Sequence, residues 1–175
     1  MKKLIASLSA AALLGVSGAG IAQAADAPND AQIAHIAYTA GNIDIAAARQ
    51  ALAKSKNKAV RSFAQEMVRD HQAVNGQALA LVKKLHVTPA ANPTSTALTT
   101  QANTKKRELA RLTGAAFDRA YAANEVAYHQ TVNGALSDTL IPSAQNGELK
   151  SLLETGLTLF KEHQAHAEHL VSALQ

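Results

Sequence analysis

Apolar residues recur three and four positions apart along most of the chain, and no stretch alternates with a period of two. Val60, Phe63, Ala64, Met67, Val74, Ala78, Leu81, Val82 and Leu85 form one such stripe. A period of 3.6 puts them on one face of a helix, and that face must be buried against other helices. The apolar fraction is largely alanine, with no Trp and only three each of Phe and Tyr. Small side chains let helices approach closely, so the pattern predicts an all-α protein of packed helices.

Four long helices are expected, over about Asn29 or Asp30 to Lys54, Lys58 to His86, Ala115 to Ser137, and Glu148 to Ala173. Ser55-Lys56-Asn57 is a short polar break, which makes its flanking helices antiparallel neighbours. Ile141-Pro142 and Asn146-Gly147 mark the break before the last helix. Residues 87–114 are a long connection rich in Thr, Ser, Asn and Pro, with a shorter helix at about Thr96 to Leu112. Two antiparallel hairpins joined by one long crossover is the layout of a ferritin-like four-helix bundle.

The first 24 residues set the expected compartment. Lys2 and Lys3 precede an apolar run to Ile21, and Ala22-Gln23-Ala24 places small residues where a signal peptidase reads. The expectation is a secretory signal peptide over 1–24, a single domain over 25–175, and a periplasmic or secreted protein. A retained amino-terminal anchor is the alternative. The chain has no cysteine, which excludes cysteine-based metal and redox chemistry. Beyond the leader, 15 basic residues face 13 acidic ones. The one basic cluster, Lys105-Lys106-Arg107 with Arg111, lacks interleaved aromatics, so it predicts a solvated helix face and no nucleic-acid partner.

Each long helix carries titratable residues where its period calls for an apolar one. These are Asp44 on the first, His71 on the second, Asp118, Glu125 and His129 on the third, and His163 on the fourth. Asp44 lies 13 residues before Asn57 and His71 lies 14 after it, so they stand at nearly one level. Glu125, about 12 residues before the end of its helix, and His163, about 15 into the next, match within roughly a turn. His129, one turn beyond Glu125, can join them.

Carboxylates and neutral imidazoles converging in a core suit Zn, Fe, Mn or Cu. The competing reading is a buried hydrogen-bonded network, because such groups must be paired to be buried. A di-iron carboxylate site is excluded: it uses Glu-x-x-His, whereas Val68 and Phe160 stand three before His71 and His163. The segment HQAHAEHL adds His166 and His169, which spread round the helix. A solvated face is expected there, with a surface metal site through His166 and Glu162 as the alternative. A hydrolytic or redox enzyme would need an open metal position or a nucleophile, and the sequence presents neither.

Four segments carry a resemblance: GNIDIAAARQA at 41–51, VRSFAQEMVRDH at 60–71, FDRAY at 117–121 followed by His129, and KEHQAHAEHL at 161–170. With these the chain resembles the bacterial domain of unknown function 4142 family, exported ferritin-like helical bundles without an assigned activity. The resemblance matches His71, Asp118, Tyr121, His129 and His163. It implies the fold and supplies no established activity. If the core holds one ion, His71, His129 and His163 are the expected ligands, with Glu125 or Asp44 completing the set and Asp118 and Tyr121 supporting the ligands. Asp44 stands where the family usually has Glu, a reach shorter by one methylene. Family and compartment together imply a role in envelope stress or metal handling, with a peripheral envelope or protein partner.

Overall fold

The computed structural model describes residues 27–175, so the leader expected over 1–24 lies outside the described residues. Four helices start on an asparagine. Asn29 caps α1 (Asp30–Lys54) in a reciprocal box with Gln32, and Asn57 caps α2 (Lys58–Lys84) through the amides of Ala59 and Val60. Asn92 opens α3 (Pro93–Ala110), with Pro93 in its first turn, and Asn146 opens α6 (Gly147–Ala173). In each case the side-chain oxygen accepts from amides that have no partner within the helix.

α4 (Gly114–Ala135) departs from the expected boundary. It runs without interruption into a π-helical turn, Leu136–Leu140, and a short stub, α5 (Ile141–Ser143). The break expected at Ile141-Pro142 comes only at Ala144, where the backbone turns extended. The Ile141 amide bonds to the carbonyl of Leu136, five residues back, and this wider turn carries the chain into the stub. Pro142 is tolerated because it falls in the stub's first turn, where a missing N–H costs little. At the end of α2, His86 adopts a left-handed φ of 54° while Val87 N bonds back to Val82 O, and the helix stops.

No strand occurs among the described residues. α1 and α2 run antiparallel: the Arg61 guanidinium donates to the Leu52 carbonyl near the turn, and Asn75 Nδ2 donates to Asn42 Oδ1 farther along. α4 and α6 are also antiparallel, with Asn133 Nδ2 donating to Phe160 O at 3.2 Å. Tyr128 Oη donates to Ala40 O at 2.8 Å and ties α4 to α1. An ion pair from Lys84 to Glu148 and a close contact between Glu66 and His166 tie α2 to α6. α3 returns along α1 in the same direction, with Gln50 and Lys54 donating to the carbonyls of Lys106 and Ala110.

The core has two apolar clusters. One holds Ala48, Val60, Phe63, Met67, Phe117, Tyr121 and Ala167, near the Ser55 turn. The other holds Ile33, Ile36, Leu136, Leu140, Leu153 and Phe160, toward the opposite end. On α1, α2, α4 and α6 the stripe residue between the clusters is polar, and those residues form a belt.

Candidate metal centre

Asp44, His71, Glu125, His129 and His163 each retain no more than 3 % of their surface exposed. Asp44 Oδ2 lies 3.5 Å from His71 Nε2 and 3.5 Å from His129 Nε2. Donors bound to one ion at about 2.0–2.2 Å stand roughly 3.3–3.6 Å apart in a tetrahedral arrangement, and each of these two spacings falls in that range. The three imidazole rings lie 5.3–5.8 Å from one another, centre to centre. One donor atom each from His71, His129 and His163 falls within a mutual 4.8 Å, as does one each from Asp44, Glu125 and His129.

The tautomer of His129 is fixed by its surroundings. Its Nδ1 donates to the backbone carbonyl of Glu125 at 2.9 Å, which leaves Nε2 as a lone pair facing Asp44. His71 is clamped by Phe160, whose ring stacks on it at 4.6 Å and 14°. Burial pushes His71 down to about 3, and the neighbouring histidines push in the same direction. Burial likewise lowers His129 to about 4, so both rings are neutral at pH 7. Burial raises Asp44 to about 7, and Glu125 is held well above the usual carboxylate range by burial and by the charge of Asp44.

Several buried donors and acceptors here have no hydrogen-bond partner in the protein: both oxygens of Asp44, both nitrogens of His71, Glu125 Oε2, His129 Nε2 and His163 Nδ1. Leaving such groups unpaired costs about 1–3 kcal/mol each. Neutral imidazoles with free lone pairs, arranged around carboxylates, form a donor set that suits a first-row transition ion. The residues therefore fit a metal ion.

Of the five expected residues, Asp44, Glu125 and His129 form one buried group and His71, His129 and His163 another, with His129 common to both. Tyr121 stands one turn before Glu125, with its hydroxyl buried and unpartnered. Asp118 is buried two turns away, with no hydrogen bond to any of the five. His166 pairs with Glu66 at 2.8 Å rather than with Glu162. Reading the stripes missed Asp70, whose Oδ2 meets His163 Nε2 at 3.1 Å. It also missed the buried Asn75 and Asn133. Asp70 lies off the stripe, and only its position beside His71 in the sequence hinted at the site. Asn75, by contrast, follows His71 by one turn on the same face.

The fold and site define an all-helical protein whose core encloses a cluster of histidines and carboxylates. Residues 16–170 match the domain of unknown function DUF4142, and the chain belongs to that family. No curated protein and no solved structure matches it.

Proposed function

We propose that the chain is an exported, ferritin-like four-helix bundle that holds one transition-metal ion, Zn, Fe, Mn or Cu, in its core. The domain spans 25–175 behind a signal peptide over 1–24, and α3 forms part of the long crossover. The pairings of α1 with α2, α2 with α6, α6 with α4 and α4 with α1 support this arrangement. Among the described residues no helix is long and apolar enough to cross a membrane, in keeping with a periplasmic location.

The observation that carries the metal reading is the position of Asp44 Oδ2, 3.5 Å from two Nε2 atoms. His71 Nε2, His129 Nε2 and Asp44 would hold the ion, with Glu125 and His163 completing the set. The ion would supply positive charge to balance the buried carboxylates. The Glu125 carbonyl sets the orientation of His129, Phe160 that of His71, and Asp70 that of His163. His129 belongs to both triads of donors, Asp44/Glu125/His129 and His71/His129/His163, and so joins them in one belt.

A second reading has its own support. With Asp44 raised to about 7 and Glu125 also raised, a protonated carboxyl could donate to His129 Nε2, making a non-catalytic buried network. Melting separates the two readings. A native-state ligand at 100 times its Kd adds about 2.7 kcal/mol of stability. Metal binding predicts a higher Tm with Zn2+, Mn2+, Fe2+ or Cu2+ that chelator reverses. A Tm indifferent to all four ions supports the network.

A further inference from the structure

A second group of donors lies outside the belt. Glu66 and Asp70 stand one turn apart on α2, and His163 and His166 stand nearly one turn apart on α6. The antiparallel packing of these helices interleaves them: Asp70 Oδ2 meets His163 Nε2 at 3.1 Å, and Glu66 Oε2 meets His166 Nδ1 at 2.8 Å. One donor atom each from Glu66, Asp70 and His163 lies within a mutual 4.8 Å. Phe63 fixes the His166 ring edge-on, with centres 5.1 Å apart.

Side-chain exposure falls steadily across the set, from 46 % at His166 to 29 % at Glu66, 17 % at Asp70 and 1 % at His163. His163 faces both groups. Its Nε2 is bonded to Asp70, while Nδ1 is buried without a partner and the ring lies 5.3 Å from that of His71. The imidazole is thus common to an outer set and an inner set of donors. The opposing charge is Arg69, which donates to both oxygens of Asp70 and is itself 70 % exposed.

We propose that Glu66, Asp70, His163 and His166 form an outer site for a divalent first-row transition ion, through which ions reach the core histidines. Two carboxylates and two imidazoles are a donor set for such ions, and the partly exposed carboxylates attract them from solvent. The outer site stands on its own geometry, whereas the loading role rests on the core metal reading. Transfer needs His163 to turn, or to exchange one coordinating nitrogen for the other while the ring proton passes to the nitrogen released.

The test uses the mature chain stripped of metal and titrated with Co2+, followed by its visible absorption and, after rapid mixing, by the rate at which the core fills. The wild type should bind two equivalents, the outer one more weakly. Glu66→Gln with His166→Gln should weaken the outer equivalent by at least about tenfold and slow core filling, with the final core affinity unchanged. Arg69→Ala should tighten the outer equivalent by about two- to fivefold, a gain that misfolding cannot produce. The outer site is overturned if the double variant and Arg69→Ala both leave Co2+ binding as in the wild type. If the outer equivalent responds but the core fills at an unchanged rate, the loading role fails alone. If the outer equivalent responds and the core takes up no Co2+, the core reading and the loading role fail and the outer site stands.

Discussion

The two halves of the core are built differently on either side of the polar belt. Toward the Ser55 turn, Val60, Phe63, Ala64, Met67, Phe117 and Tyr121 are wholly shut off from solvent. Toward the other end, Leu140, Leu149, Leu153 and Phe160 keep 5–8 % of their surface exposed. These last four residues line, with Ile36 and Asn75, a cavity of 610 Å³. The dense half can hold donors in place, because a close-packed interior resists displacement. In the hollow half the belt is backed mainly by the Phe160 ring stacked on His71. The belt is thus backed by fully buried side chains on one side and borders the cavity on the other.

Truncation should give the largest effect. Phe63→Ala in the dense half is expected to cost about 3–5 kcal/mol, and Leu153→Ala beside the cavity should fall near the low end of the 2–5 range. Denaturant unfolding of both variants checks this, and equal costs would erase the distinction between the halves. Enlargement should then differ in sign. Ala48→Leu, in the dense cluster, is predicted to lose about 1–3 kcal/mol. Ala37→Leu points into the hollow half and should gain about 0.5–2 kcal/mol by filling space.

Gly41→Ala probes the border between belt and cavity. Replacing glycine inside a helix ordinarily adds up to about 1 kcal/mol. A Cβ at position 41, however, would collide with the Asn75 side-chain amide and force it off Asn42. A loss of about 1–3 kcal/mol is expected, recovered in large part when Asn75→Ala is added. A gain from Gly41→Ala alone would show that Asn75 yields freely.

The smallest effect concerns pH, measured in chelator. His71 and His129, lowered to about 3 and 4, are neutral when folded and take up protons on unfolding below about 6.5. Their stabilising contribution is whole above that pH and shrinks as pH falls toward 4. Asp44, raised to about 7, works the other way: its contribution is whole below about 3.8 and is lost as pH rises through 7. Glu125, also raised, acts in the same sense as Asp44, while the lowered His163 adds to the other two histidines. Partial cancellation predicts a shallow fall in Tm from about pH 7 to about pH 4.5. Asp44→Asn removes one opposing group and should steepen that fall; an unchanged slope would deny Asp44 its raised pKa.

Much of this contrast could not be read from the sequence. The helices could, since their apolar stripes repeat every 3.6 residues and the polar breaks at Ser55-Lys56-Asn57 and Asn146-Gly147 interrupt them. The level of the belt could too, because counting from the turns aligns Asp44 with His71. Asp70 and Glu66 acquire partners only when α6 packs alongside, and the period of one helix carries no information about that. Asn75 depends on a missing side chain at Gly41 across the helix pair. The π-helical turn at Leu136–Leu140 lies before a proline that sequence rules assign to a break. The cavity is a property of fit between helices, which no single stripe records.

The core metal reading is tested most directly by diffraction from crystals of the metal-loaded mature chain, recorded at the absorption edge of the added ion. An anomalous peak is predicted between α1, α2 and α4, about 2.0–2.2 Å from Asp44 Oδ2, His71 Nε2 and His129 Nε2. No peak there, with a carboxyl hydrogen-bonded to His129 Nε2 instead, would contradict it.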